Sequence, residues 1–386
     1  MRALAAPPLP VFSRQAMDFL SDLSAALRAD ARVREMADVM SFAFFIRKAH
    51  LEGLRAACGD AAERVGRGLC VHIAPGNVAV NFAFSLASGL MAGNANVVRA
   101  SSRDFAQVDC ICENIEKLLQ TAHPGMSAYA AVIRYPRERA DVTAALCEGC
   151  DARVIWGGDA TVNTMRAIPT PPRAVDVTFA DRASLLMIDA ETLLAQSEKE
   201  LAATALGFYN DTYLTDQNAC SSPRLVFWLG GSEDVARAKT RFWAAVHACA
   251  APRYPIEAEM AVSKRAAVCR LAADMDGLVQ EPAPDNLVTR LRLPRLTPDI
   301  WDVRASGGVF LEYEAEDYAE LLPMLSRKVQ TLSRVGVDAQ ALRARLIEAG
   351  ARGVDRIVPV GHTLDFSTIW DGYDLIATLS RRVTAG

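Results

Sequence analysis

The sequence predicts an α/β protein built from two doubly wound parallel-sheet domains, and three observations lead there. At 386 residues the chain is long enough for two domains with separate cores. From about residue 68, short apolar runs alternate with longer amphipathic ones, the strand–helix–strand rhythm of a parallel sheet covered on both faces. A second such series follows residue 180. The expected divisions are 1–180 (an N-terminal arm and a first domain), 181–354 (a second domain) and 355–386 (a C-terminal segment packing back on the core).

In the first series, Leu69–Ala74 reads as a buried strand, Val78–Met91 as a helix and Asn96–Arg99 as a strand. Phe105–Leu119 is a helix, because Phe105, Val108, Ile111, Cys112, Ile115, Leu118 and Leu119 recur at three- and four-residue spacing. Then come the strand Tyr129–Tyr135, a helix around Ala140–Leu146, the strand Ala152–Trp156 and a helix opened by Gly157-Gly158-Asp159. The second series runs through strand Leu185–Ile188, a long helix Glu191–Phe208, a loop, strand Leu225–Leu229 and helix Glu233–Ala250. Strands Leu287–Leu293 and Val309–Tyr313 follow, with helices near Tyr318–Leu325 and Ala339–Ala349. Gln280–Asp285 is Pro- and charge-rich and reads as a surface loop.

Composition narrows the function classes. Hydrophobic content of 51% and charged content of 23% fit a globular protein, and the net charge of -4 gives no reason to expect a polyanion. Basic residues are spread along the chain, so no nucleic-acid partner is expected. No apolar run reaches the roughly 18 residues of a membrane span, and Met1–Pro10 lacks an apolar signal-peptide core. Nine scattered cysteines, an odd number, are expected to be reduced thiols in the cytoplasm. Cys147-Glu148-Gly149-Cys150 matches C-x-x-C but has no second pair and no nearby His. It reads as a helix closing at Gly149, and no metal site is expected.

Four segments carry chemistry. Cys220 lies in Asp216-Gln217-Asn218-Ala219-Cys220-Ser221-Ser222-Pro223, where small neighbours open access and polar side chains precede the thiol. A buried structural Cys favours apolar flanks. A nucleophile needs a loop that admits a carbonyl and backbone N–H groups to receive the developing oxyanion. The run His72-Ile73-Ala74-Pro75-Gly76-Asn77 ends a strand in a turn, where open α/β sheets bind ligands. Asn77 there either caps a helix at Val78, points its amide into the cleft, or does both. Arg99, Ser101 and Ser102 stand at the next strand's end, a seat for a ribose or ribose phosphate or simply a solvated strand end. Trp156-Gly157-Gly158 joins a strand to a helix, and two glycines there let a pyrophosphate approach the helix N-terminus.

Taken together, these residues resemble the aldehyde dehydrogenase superfamily, and within it the LuxC-type acyl-CoA (fatty-acid) reductases. The likeness is densest in His72–Val98, Val154–Asn163, Arg173–Leu185, Phe208–Pro223 and Asp355–Ile376. It implies an aldehyde-dehydrogenase-like fold with a Rossmann-like cofactor domain and a catalytic domain carrying Cys220. By the same resemblance Cys220 is the residue that becomes acylated, and Asn77 joins the Cys220 backbone N–H in the oxyanion hole. Arg99 stands where relatives place a lysine on the adenosine ribose. Ser102 falls where many NAD-preferring relatives place a Glu, so NADPH is expected, with NADH possible. Gly157 and Gly158 match the turn beneath the pyrophosphate. The Glu that activates water in aldehyde-oxidising relatives is replaced by Val177, which cannot act as a general base. Arg304 stands near the position of a Glu that holds the nicotinamide ribose.

The expected reaction is reduction of an acyl thioester to an aldehyde through an acyl-cysteine. Its acyl donor would be acyl-CoA, or an acyl carrier or acyl-transferase protein, and the resemblance implies a homo-oligomer. An acyltransferase or thioesterase using Cys220 without nucleotide, and a non-catalytic carrier-protein binding module, are the alternative readings. His362 is a candidate base for Cys220 or an ordinary surface or packing histidine. Phe42, Phe44, Phe45, Phe82 and Phe84 either line an acyl tunnel or fill the core.

Overall fold

The computed structural model describes residues 6–76, 78–136 and 138–385. The chain divides into two compact units, residues 1–180 with 366–386, and 181–365. The C-terminal return thus begins at 366 and not at 355. Arg356–Pro359 pairs in parallel with Val329–Val335 and keeps its segment in the second unit. Ser380–Arg382 pairs antiparallel with Arg64–Gly66 and secures the last residues to the first unit.

The first unit is centred on a five-stranded parallel sheet ordered Ala130–Ile133, Ala95–Arg99, Leu69–Ile73, Ala152–Trp156, Val175–Phe179. Chain order reverses between Leu69–Ile73 and Ala152–Trp156, which makes their C-terminal ends the ligand-binding end of such a sheet. Alternate residues feed opposite faces. Cys70, Val98, Val154 and Val177 enter one apolar cluster, whereas Leu69, Val71, Val97 and Ile155 enter another. Ahead of the sheet the N-terminal segment forms helices Arg14–Ala29, Ala37–Phe45 and Lys48–Ala57. The first of these buries Phe19, Leu20, Leu23 and Leu27 at helical spacing. The helix expected over Val78–Met91 starts at Asn81, with Val80 as its N-cap residue.

The second unit has a seven-stranded sheet ordered Arg356–Pro359, Val329–Val335, Ala183–Asp189, Pro223–Leu229, Val309–Ala315, Thr289–Arg292, Val279–Gln280. All neighbours are parallel except the terminal Val279–Gln280. Leu185, Met187, Leu225 and Phe227 pack on one face, and Leu186, Ile188, Val226 and Trp228 on the other.

Two local expectations change here, and one helix is new. The long helix Glu191–Phe208 is two helices, Ala190–Ala195 and Glu198–Thr212. Ser197 breaks them apart: it caps the second helix while Glu200 reaches back to the Ser197 N–H at 2.8 Å. The helix near Tyr318–Leu325 is reduced to a 3-10 turn, Leu322–Met324, because Pro323 removes an N–H and crowds the preceding turn. A helix over Ala258–Asp274 has no counterpart in the sequence reading, since it buries only Lys264, Ala267 and Val268 and so shows no apolar stripe.

Candidate active site

In the second unit, helix Glu198–Thr212 tightens into a 3-10 turn, and Asp216 and Gln217 follow with φ of 50° and 60°. Two successive left-handed residues without glycine store strain of about 1–3 kcal/mol each, so the surroundings must over-determine them. They do. The Gln217 amide is buried and donates to the carbonyls of Pro223 and Val309, both at 2.9 Å. Its Oε1 accepts from the N–H groups of Gly308 and Val309, both at 3.2 Å. Gly308 permits this approach: at φ 86° an added Cβ would lie 2.4 Å from the Leu287 carbonyl oxygen. The Asp216 carbonyl accepts from Gly307 N–H at 3.0 Å, and the Tyr254 hydroxyl donates to Asp216 Oδ1 at 2.7 Å.

This clamped turn presents Cys220, which is half-buried. Gln330, itself fully buried, donates its Nε2–H to Cys220 Sγ at 3.4 Å. The Ser184 hydroxyl donates to the Cys220 carbonyl at 2.8 Å and accepts from the Thr331 N–H at 3.1 Å. Ser184 sits between two register shifts, one against Pro223–Leu229 and one against Val329–Val335. Bulges of this kind re-aim side chains beside active sites. They bring Gln330 to the sulfur and leave Arg224 as the extra residue on its strand. Arg304 pairs with Asp181 at 2.9 Å.

The remaining second-unit expectation concerns His362. Its side chain is 57% exposed and pairs with Asp365 at 2.8 Å. Its neighbours Gly361 and Thr363 donate their N–H groups to the buried Asp211 carboxylate, at 2.7 and 3.0 Å. Burial pushes Asp211 up to about 6 against those hydrogen bonds.

In the first unit, the sheet's ligand-binding end carries Ala74-Pro75-Gly76, Arg99 to Ser102 and Trp156-Gly157-Gly158. Arg99 stacks its guanidinium 4.9 Å from the Tyr135 ring centre, and its buried Nε finds no hydrogen-bond partner among the described residues. Ser101 Oγ accepts from Arg103 N–H at 3.1 Å and lies near Gly76, and Ser102 is exposed. Gly158 is the N-cap residue of helix Asp159–Arg166. Trp156 turns its ring into the core, stacked 3.7 Å from Phe179, and its indole N–H donates to Ser85 Oγ at 3.1 Å. Its side chain therefore serves the interior, which leaves backbone alone for any ligand. Val177 is wholly buried. Asn77 lies outside the described residues.

Beneath this end lies a neutral network. His72 Nδ1 is 2.7 Å from Ser85 Oγ, and Nε2 is 3.0 Å from Asn96 Oδ1. The Asn96 amide donates to the Asn94 and Tyr129 carbonyls, so its oxygen faces His72 and must accept. Hence Nε2 carries the proton and Nδ1 accepts from Ser85. Burial holds His72 down to about 4, so the ring is uncharged at neutral pH.

Phe42, Phe45 and Phe84 cluster with Phe366 at centroid distances of 4.7–5.3 Å, Phe82 is buried, and Phe44 is exposed. This is core packing. Cys147 and Cys150 are both buried, and among the described residues no group of His, Cys, Asp or Glu is arranged to hold a metal. No described helix is long and apolar enough to cross a membrane. The sequence reading missed Gln217, Gln330, Ser184, Arg224 and Asp181. Gln217 carries a signal, a polar residue three positions before the thiol; Gln330 lies 110 residues from Cys220 and carries none.

The chain aligns with long-chain acyl-protein thioester reductases of Aliivibrio fischeri (26% identical over 167 residues) and Vibrio harveyi (27% over 167). Each match covers 42% of this chain and 32% of the relative, so the aligned stretch spans about a third of those proteins. Among solved structures, Escherichia coli lactaldehyde dehydrogenase superposes with a TM-score of 0.66 at 14% identity, over 97% of this chain and 87% of that one. A Bradyrhizobium japonicum proline utilization A mutant gives 0.67 at 17%, over 96% and 43%. The fold is therefore that of the aldehyde dehydrogenases. The acyl-CoA reductase (LuxC) family matches residues 47–382, and the chain belongs to that family.

Proposed function

We propose that this protein reduces an acyl thioester to an aldehyde with NADPH, through a covalent acyl-Cys220. The observation that carries the proposal is the construction around Cys220: a strained turn locked by Gln217, with a buried amide N–H aimed at the sulfur. A structural cysteine needs neither. The Cys220 thiolate attacks the thioester carbonyl, the carrier thiol departs and takes up a proton from solvent, and an acyl-cysteine remains. When bound, the nicotinamide supplies the hydride that reduces the acyl carbon. The Cys220 backbone N–H is the donor for the oxyanion of the resulting thiohemiacetal, and the family resemblance assigns Asn77 the part of second donor; losing one such donor costs about 2.7–4 kcal/mol in barrier. Collapse of the thiohemiacetal frees the aldehyde and restores the thiolate. Val177 gives water no general base, which protects the acyl-enzyme from hydrolysis.

The first unit suits an anionic nucleotide. Arg99 offers an unpartnered buried Nε, Gly157 and Gly158 open a helix, and Ser101 and Ser102 add hydroxyls without a repelling carboxylate. That set favours NADPH over NADH. Family membership supports, as part of the same proposal, an acyl donor that is acyl-CoA or an acylated carrier or transferase protein, and a homo-oligomeric state. The test is intact-protein mass spectrometry after incubation with acyl-CoAs of graded length, on wild type and Cys220→Ala, with and without NADPH. An adduct that needs Cys220 and vanishes with NADPH, with aldehyde released, is the expected result. An adduct that persists with NADPH makes the protein a transferase.

A further inference from the structure

We propose that Arg224 is the positioning residue that keeps Cys220 ionised: the strand bulge inserts its guanidinium beside the nucleophile as a built-in counter-charge. This rests on the proposed role of Cys220 as nucleophile, a role that demands a thiolate near neutral pH although an ordinary Cys ionises near 8.5.

The argument begins with register. Pro223 pairs with Ser184 and Leu225 with Leu185, so Arg224 is the one residue of its strand with no opposite number on that side. A bulged residue is released from the alternation that would send an arginine to solvent. Arg224 is turned inward: its Nε and Nη1 are both buried and find no hydrogen-bond partner among the described residues. A cation with two buried nitrogens that find no partner among the described residues is costly and persists only with a compensating negative charge or a function.

The charged groups around it decide which. Burial and the nearby Arg304 both lower the Arg224 pKa, to about 10, while Cys220 and Asp181 oppose them. Asp181 is already paired with Arg304. The adjoining strand-end charges are also balanced, Arg182 by Asp355 and Lys328 by Asp302. Gln330 and Ser184, which approach Cys220 from the neighbouring strands, are neutral. Of the two negative groups that favour the charged Arg224, Cys220 acts more strongly than Asp181, which is shared with Arg304; linkage makes the effect mutual: if the thiolate favours the charged guanidinium, the guanidinium favours the thiolate by the same factor. At a pKa of about 10 Arg224 stays charged at neutral pH. The Cys220 proton goes to solvent before any acyl donor arrives, which removes the need for a general base.

The experiment is the pH dependence of Cys220 alkylation by iodoacetamide, read on the Cys220 peptide by mass spectrometry. The exposed Cys269 serves as internal reference. It uses the full chain as wild type, Arg224→Lys and Arg224→Met. In wild type the midpoint should fall below that of free cysteine; Arg224→Met should raise it by about one pH unit, roughly a tenfold slower alkylation at pH 7, and Arg224→Lys should restore most of the difference. An unchanged midpoint in a folded Arg224→Met overturns the proposal. If that variant does not fold, a wild-type midpoint at or above that of free cysteine overturns it instead. No acyl donor or nucleotide is present, so failure of the reductase reading would leave this profile intact.

Discussion

The two units build their working ends from different materials. In the first, the sheet's ligand-binding end is made largely of backbone: turns after parallel strands, a Gly-Gly helix opening, and one cation with spare hydrogen-bonding capacity. Any parallel sheet with this strand order provides such an end. In the second, the working end depends on side chains, with Gln217, Gln330 and Ser184 each holding one part of the Cys220 loop. On the proposed reading, a generic nucleotide seat can be assembled from topology, but a nucleophile needs its own supports.

The largest break in that comparison should come from Gln217→Ala. It strips partners from two carbonyls and two N–H groups in a buried site whose backbone is already strained. Even at about 1 kcal/mol per group the loss approaches 4 kcal/mol. Urea unfolding should show it in the second unit, read by Trp228 or Trp243 fluorescence, together with altered alkylation at Cys220. A change below about 1 kcal/mol would mean that the turn is held by its backbone alone.

Next in size is an opposite response to acid. His72 ionises near 6.5 when unfolded and near 4 when folded, so the unfolded chain takes up a proton first and the first unit loses stability as pH falls from 6.5 toward 4. At about 1.4 kcal/mol per pH unit, the effect amounts to roughly 3 kcal/mol at most. Asp211 runs the other way. Its folded value of about 6 exceeds the unfolded 3.8, so its burial weakens the second unit as pH rises through 6 and is relieved on acidification. Melting curves between pH 4 and 7 on His72→Gln and Asp211→Asn should differ from wild type with opposite slopes. Parallel slopes would show that one of the two groups is not buried as described.

How far each unit could be read in advance follows the same division. Ala152–Trp156 is legible because five buried residues between turn signals look the same in sequence and in space. The break at Ser197 was equally legible in principle, since Ser197 and Glu200 have capping-box spacing, but the apolar pattern runs across it and hides the stop. Small polar flanks single out Cys220. Its supports are another matter: Gln330 meets the sulfur only because two strands far apart in sequence pair with a slipped register, and no local pattern encodes a bulge. Arg224 carries no signal either, because an arginine at a strand's beginning looks the same in sequence whether it is solvated or turned inward by a bulge.

The smallest expected effect is also the sharpest probe of that last point. Gln330→Leu removes the N–H that reaches Cys220 Sγ but leaves every nearby charge in place. A neutral donor at 3.4 Å stabilises a thiolate less than a full positive charge does, so the alkylation midpoint should rise by about half a pH unit, a threefold slowing at pH 7. Leucine fills similar volume, so the core on that side should stay packed, but the buried Thr331 hydroxyl loses its acceptor in Gln330 Oε1 and stability should fall by about 1 kcal/mol. If Gln330→Leu shifts the midpoint as far as Arg224→Met does, the hydrogen bond and not the buried cation sets the thiol's ionisation. A shift in neither would return Cys220 to the status of an ordinary thiol in an unusually well-supported loop.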